Sequence, residues 1–284
     1  MTGPLSHLPV RIRHRLAMRR IVVSQIVPLS TRMRRIVFTG ADLHDFVAPG
    51  ADDHVRLFFP SPGQAGPVLP RLVPRGKPDG HAPDGHEPDG EPVVARDYTP
   101  RRFDPASGEL TIDFVLHDSG PAACWARHAV SGLWLGMGGP AASYLPPPIC
   151  TAHLLIGDDT ALPAIARMVE GYPVDHAITV LLATEETPKT YPLRRHGALT
   201  VHRYAPSKDG ADLIAAIEAL TLPPLSELHV WIAGEIDIVR HLRSHLIQKK
   251  AVPRDRIRAA GYWRAGKTGG GSHMEIGAAL APDA

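Results

Sequence analysis

The chain has 284 residues, enough for two ordinary domains, and a formal charge of only +2, which gives no reason to expect nucleic acid as a partner. Its two cysteines, Cys124 and Cys150, form no C-x-x-C pair, which excludes a disulfide framework and a protein-ligated iron–sulfur cluster and points to a reducing cytoplasm. No apolar stretch is long enough to span a membrane, and the basic start, "RIRHRLAMRR" (11–20), lacks a signal-peptide core; residues 1–19 are expected to be a solvated tail.

In chain order, "RIVVSQIVPLS" (20–30), "MRRIVFTG" (33–40) and "DHVRLFFP" (53–60) are short β-branched or aromatic runs stopped by Gly, Pro or Ser. A proline-rich insertion follows at 61–94. It repeats "PDGHA", "PDGHE", "PDGEP", a composition that builds neither core nor ladder, and is expected to be a disordered loop; His81 and His86 within it make no metal site. "ARDYTPRRF" (95–103) then poses a specific question. In an extended segment side chains alternate faces, so Arg96 and Tyr98 share one face and Asp97 and Thr99 the other, with Pro100 ending the run. A cation beside an aromatic ring suits a ligand that is both flat and anionic. "ELTIDFVLH" (109–117) alternates Leu110, Ile112, Phe114 and Leu116, and "GLWLGMGGP" (132–140) is a further strand. Several short strands with turn signals indicate an antiparallel β-barrel or sandwich over 20–148.

"YLPPPIC" (144–150) marks a boundary, because three prolines stiffen the crossing. Beyond it strands and helices alternate: 153–157, helix 160–171 with Asp159 as N-cap, 177–184, 198–204, helix 210–220, 227–234, helix 236–247 and 256–263. That alternation predicts a parallel α/β sheet over 149–266, with ligands outside the carboxyl ends of the strands. Residues 267–284 are expected to be a disordered tail. The fold class is α+β with two domains, an antiparallel β-barrel followed by an α/β domain, and a monomer is expected.

The motifs "RDYTPR", "VLHDSGPAACWA", "LLIGDDTALPAIA", "WIAGE" and "GYWRAG", with the entry stretch "STRMRRIVFTGADLHDF…DHVRLFFP", stand in the order found in the siderophore-interacting protein family. That family comprises FAD-dependent ferric-siderophore reductases of the ferredoxin-NADP-reductase-like superfamily, and this chain resembles it over roughly 20–266. The resemblance implies FAD in the barrel and NADPH, or NADH, as cosubstrate. It places Arg96 on the FAD pyrophosphate, Tyr98 against the isoalloxazine and Thr99 near N5. It implies that His117, Gly120, Pro121, Ala122, Trp125 and Ala126 shape the FAD site, with the amides of a short helix after Gly120 facing a phosphate. Ala141 and Ala142 stand where the family often has Arg and Gly, so one phosphate or adenine contact is lost.

Asp159, Thr160 and Ala161 correspond to the nicotinamide-nucleotide side. Asp158 and Asp159 beside a helix start would repel a pyrophosphate, so nucleotide binding should be transient. Glu235 lies where nicotinamide meets flavin and also suits the start of the following helix. Trp263 would pack toward the flavin, while Arg56, Arg264 and Lys267 would capture an anionic ferric siderophore. No protein acid–base dyad or nucleophile is implied, since the cofactor carries the chemistry, and no resident metal. Ferredoxin is an alternative donor. Flavin or quinone reduction and non-enzymatic siderophore binding are the other functional readings.

Overall fold

The computed structural model describes residues 9–61, 63–70, 93–117, 120–194, 197–266 and 274–276. Two compact units divide the chain, one of His14–Val47 with His54–Ala141, the other of Ala142–Ala284 with Ala48–Asp53 and Met1–Arg13.

The first unit is a seven-stranded antiparallel sheet. Its strands are β2 (Met18–Pro28), β3 (Met33–Thr39), β4 (Val55–Phe59), β5 (Val94–Tyr98), β6 (Pro100–Asp104), β7 (Glu109–Val115) and β8 (Trp134–Gly138), in the order β5-β4-β8-β2-β3-β7-β6. The outermost strands, β5 and β6, are consecutive in sequence with only Thr99 between them. A sheet whose two edges are one residue apart along the chain must curl on itself, so this is the expected barrel, with its seam at Thr99. Pro100 opens β6 and has no N–H to donate across the seam. The alternation read in 109–117 holds for Leu110, Ile112 and Phe114, all fully buried. The polar face carries its own pairing: Arg35, opposite Asp113, makes a bidentate ion pair of 2.7 and 2.8 Å. Helix α1 (Pro121–His128) follows β7.

Part of the insertion is ordered. Gly66 lies against Trp134, where an added Cβ would come within 2.4 Å of the indole, and Leu69 lies against Gly136. Residues 71–92, with the five-residue repeats, His81 and His86, lie outside the described residues.

The second unit holds a six-stranded sheet, β12-β11-β10-β13-β14-β15. Its strands are β10 (Ala152–Asp158), β11 (Ala177–Ala183), β12 (Leu199–Tyr204), β13 (Leu228–Glu235), β14 (Ile257–Trp263) and β15 (Met274–Glu275). The first five are parallel, as predicted from the alternation with helices α2 (Leu162–Gly171), α3 (Ala211–Ala219) and α4 (Ile236–Lys249). Central strands buried on both faces explain why β13 shows no alternation and no exposed residue.

Three expectations need correction. The segment read as a solvated tail contributes a strand, β1 (Val10–Arg13), paired with β9 (Ala142–Leu145). The C-terminal tail contributes β15, antiparallel to β14 and held by Glu275 at 3.0 Å from Arg258, so the sheet is mixed rather than purely parallel. Asp159 does not cap α2: the cap position is Ala161, with no side-chain bond. The Asp159 carboxylate instead accepts from the buried hydroxyl of Thr184.

Asp53 is a buried acid in this unit, 2% exposed. One carboxyl oxygen accepts from Ser143 Oγ at 2.6 Å and Gly50 N at 3.0 Å, while the other is buried without a protein partner. Burial raises its pKa from 3.8 to about 7; the Ser143 bond opposes this and the Asp52 charge adds to it. Because the folded state holds this proton more tightly than the unfolded chain, stability falls as pH rises from about 3.8 to 7 and is level above. Asp53→Asn should flatten that slope and be more stable than the parent at pH 8, by on the order of 2–4 kcal/mol, with little gain at pH 4. Urea unfolding across this range measures it; parallel profiles for the two proteins would refute the assignment.

Candidate functional site

The seam of the curled sheet gathers the residues that the sequence singles out. β5 runs antiparallel to β4 with Tyr98 opposite Val55 and Leu57 opposite Arg96, so Arg96 and Tyr98 share the face on which Val55 and Leu57 are buried. Asp97 faces the other way, opposite Arg56, and binds it bidentately at 2.9 and 3.1 Å. The alternation read from "ARDYT" is therefore the geometry of the strand, and it separates two arginines. Arg96 stands beside the ring of Tyr98, while Arg56 lies on the opposite face with its charge met by Asp97.

Tyr98 rests on Phe114 with ring centroids 4.5 Å apart and meets Phe59 edge-on at 6.3 Å. Trp125 of α1 packs on the same cluster, 5.7 Å from Phe59 and 6.0 Å from Phe114, so it fixes the helix against the sheet. Burial lifts the Tyr98 phenol above its usual range, against the pull of the Arg96 charge, so the ring stays neutral. Thr99 is buried at the seam.

Helix α1 starts at a glycine because nothing else fits. Gly120 has φ +106°, and a Cβ there would come within 2.9 Å of the His117 ring. The helix has Pro121 in its first turn, no side-chain cap and no acidic residue there. Cys124 N already donates to Gly120 O, which leaves the amides of Ala122 and Ala123 as the first-turn donors with no partner inside the helix. Both alanines are buried, as is Ala126. A guanidinium, a flat neutral ring and an uncapped helix start fit the diphosphate and the tricycle of a flavin dinucleotide. Ala141 and Ala142 sit beside the segment read as a solvated tail: Arg13 lies opposite Ala142 in the β1–β9 pair, and His14 N donates to Ala141 O.

The second unit has its own ligand position. The strand order reverses direction between β10 and β13, and their carboxyl ends, Asp158 and Glu235, flank the crevice where such sheets take ligands. Both carboxylates of this turn are hydrogen-bonded within the protein. Asp158 Oδ1 accepts from Thr160 N at 2.9 Å and from Thr160 Oγ1; Oδ2 accepts from Glu235 N at 3.1 Å and Trp263 Nε1 at 2.8 Å. Burial raises its pKa despite these bonds. Asp159 is turned inward to Thr184, as described above. Gly234 is required beside Asp158, since its φ is +148° and a Cβ would come within 2.5 Å of the carboxylate.

Glu235 caps α4: Oε2 accepts from Asp237 N at 2.7 Å and Ile238 N at 3.0 Å, and Oε1 from Ala265 N at 3.2 Å. Its role as a helix-start carboxylate is thus visible in the geometry, and Trp263, 43% exposed, is held in place by Asp158. Thr160 is half-buried and Ala161 buried at the turn into α2. Arg264 is half-buried, and Lys267 lies outside the described residues. The bond from Trp263 to Asp158 had no sequence signal, because it links residues 105 positions apart.

Two family profiles match the chain, the siderophore-interacting FAD-binding domain over residues 22–144 and the siderophore-interacting protein over residues 150–266. The chain belongs to the siderophore-interacting protein family. It is 31% identical to the NADPH-dependent ferric-chelate reductase of Escherichia coli, over 90% of this chain and 97% of that one. It is likewise 31% identical to the ferric vibriobactin reductase ViuB of Vibrio cholerae, over 87% and 89%. A siderophore utilization protein from T. fusca superimposes with a TM-score of 0.75 at 32% identity, covering 91% of this chain and 97% of that one. The siderophore-interacting protein SipS from Aeromonas hydrophila does so with a TM-score of 0.71 at 30% identity, covering 90% and 93%. The Amycolatopsis cytochrome P450 reductase GcoB, at 15% identity and a TM-score of 0.60, shares the fold, over 86% of this chain and 69% of that one. Among the described residues no helix is long and apolar enough to cross a membrane, and no cluster of three metal-ligating side chains occurs.

The Gly120 geometry makes a sharp prediction. Gly120→Ala forces a non-glycine residue into a backbone region that is essentially glycine-only, at a cost of about 1–3 kcal/mol. FAD affinity should fall with it, because the first turn of α1 must shift. Flavin titration followed by absorbance, beside urea unfolding, measures both; unchanged values in each would show that this turn is not held as described.

Proposed function

We propose that the chain is a ferric-siderophore reductase that takes electrons from NADPH, holds FAD in the curled-sheet unit and delivers the electrons to iron(III) in a siderophore. The observation that carries this reading is the seam, where Arg96 and Tyr98 share one face. The names and lengths of its relatives support it further, since the E. coli and V. cholerae proteins are reductases of ferric chelates and match this chain almost end to end.

FAD, when bound, supplies the exchange between a two-electron hydride donor and a one-electron acceptor. The protein's part is to bind and orient. Arg96 meets the diphosphate with a permanent charge and two parallel donors, and the amides of Ala122 and Ala123 add a second anchor. Tyr98 covers the tricycle, its ring held by Phe114 and Phe59. Thr99, at the seam, offers a hydroxyl near the flavin ring, and His117 with Gly120 sets the turn before α1. Asp159, Thr160 and Ala161 form the start of the nicotinamide-nucleotide position, where Glu235 and Asp158 keep the α4 start and Trp263 in place. The substrate iron(III) is a hard cation gripped by oxygen donors; as iron(II) it carries less charge and is held far more weakly, so reduction releases it.

Anionic siderophores require positive charge, and Arg264 is one source. Arg56 enters this role only as a pair with Asp97. The chain works as a monomer in a reducing compartment, in keeping with its free thiols at Cys124 and Cys150. NADPH is its direct donor, with NADH and ferredoxin as the competitors the assay must separate.

The test is anaerobic reduction of a panel of ferric siderophores by the FAD-loaded protein, with iron(II) trapped by a coloured chelator and NADPH, NADH and reduced ferredoxin run in parallel. Siderophore turnover faster than that of free flavin or quinone is expected. Arg96→Met should weaken FAD at least about tenfold, as expected when a charge-assisted pair is lost, whereas Arg56→Met should leave FAD affinity unchanged. Equal rates with quinone and siderophore, or an Arg96→Met protein with undiminished FAD affinity, would sink the proposal.

A further inference from the structure

Helix α1 has little of its own to hold it in place. It has eight residues, a length that is marginal for an isolated helix. The side chains it buries are Ala122, Ala123 and Ala126, which offer little apolar area, and Trp125 is its one large anchor. Its amino end has no side-chain cap. Small side chains let a helix slide along a sheet or turn about its axis, so the position of α1 has to be set by other contacts.

Arg34 of β3 makes them. It lies opposite Phe114 where β3 pairs with β7, on the face where Phe114 and Phe38 meet Trp125. Its neighbour Arg35 turns to the other face and is engaged by Asp113. Arg34 is half-buried, and its Nη1 donates to Ala126 O and to Arg127 O, each at 2.6 Å. These are two of the carbonyls that a helix leaves without a partner at its carboxyl end. The guanidinium is permanently charged and sits at the negative end of the helix dipole, so both bonds are charge-assisted. A further tie acts at the same end: Arg127 Nη2 donates to His117 O at 3.1 Å, which returns the last turn to the chain just ahead of the helix.

Two helical turns move as one body. Ala122 and Ala126 are about 6 Å apart along the axis, so a shift of the carboxyl end carries the amides of Ala122 and Ala123 with it. Contacts to an anion tolerate about 0.5 Å of such displacement.

We infer that Arg34 is a positioning residue for the flavin dinucleotide: by clasping Ala126 O and Arg127 O it holds the amides of Ala122 and Ala123 at the diphosphate. This rests on the FAD reading above and adds to it a residue that bonds the helix rather than the cofactor.

FAD titration and phosphorus NMR of the full chain test it. Arg34→Gln should weaken FAD about tenfold, as expected when charge-assisted bonds are lost. At saturating FAD, the diphosphate resonances should move toward those of free FAD. The visible flavin band should keep the parent's shape, because Tyr98 rests on Phe114 and Phe59 rather than on α1. Arg34→Lys keeps the charge and a donor and should recover part of the affinity. Should Arg34→Gln not fold, Arg34→Lys carries the same readings, with a loss of about threefold. Full FAD affinity in Arg34→Gln, or in Arg34→Lys where it stands alone, would overturn the inference. So would a loss of urea stability with the bound diphosphate resonances unmoved, which is the mark of a merely structural role. Arg96→Met and Gly120→Ala run beside these variants. If they weaken FAD and the Arg34 variants do not, the flavin site stands and the role of Arg34 falls; if none of them weakens FAD, the flavin site itself is misplaced.

Discussion

Thr99 joins the two edge strands of one seven-stranded sheet, and that single-residue junction governs the first unit. Because β5 and β6 end the sheet on opposite sides, the chain can connect them so briefly only if the sheet curls until its edges meet. Pro100 keeps the seam from zipping into a continuous ladder. The consequence is a place where side chains from the last residues of β5 stand at an edge rather than in the middle of a sheet. Arg96 and Tyr98 occupy it, and the strand's own alternation sends Asp97 and Arg56 to the other face. Helix α1, seated on the Phe59–Phe114–Trp125 cluster, brings an uncapped amino end to the same unit.

The second unit solves a different problem. A parallel sheet of order 3-2-1-4-5 has its ligand crevice where strand order reverses, and that crevice here contains acids, which are poor company for a dinucleotide. Each carboxylate is engaged inside the protein. Asp158 collects four hydrogen bonds, Asp159 takes the Thr184 hydroxyl, and Glu235 caps α4 and receives Ala265 N. Gly234 makes room for this network by having no Cβ. What reads in the sequence as a cluster of charge is in the fold a brace that fixes the α2 start, the α4 start and Trp263 together.

The same sheet has two ends with opposite character. At its carboxyl ends Asp158, Asp159 and Glu235 are each hydrogen-bonded within the protein. Near its amino ends a cavity is lined in part by Tyr144, Tyr172 and Trp231, and His229 is buried beside it.

The residues of "ARDYT" determined their own geometry, because a strand's period of two depends only on the local backbone. Barrel strands β2, β3, β4, β7 and β8, the α/β alternation and α1 were legible for the same reason, each being a periodic or punctuated pattern within some ten residues, whereas β6 starts at the Pro100 that was read as the end of a run. Leu110, Ile112 and Phe114 and the helix α4 follow their patterns closely. Strands β1, β9 and β15 were not legible, since short segments become strands only when a distant edge pairs with them, and neither Val10–Arg13 nor Met274–Glu275 carries that information locally. The partners of Arg56, Asp158 and Asp159 were likewise decided by tertiary structure, because a charged side chain's neighbour is set by chain crossings tens of residues apart. So was the setting of His229, which in sequence is one histidine among sixteen and in the fold is a buried imidazole at the wall of a cavity.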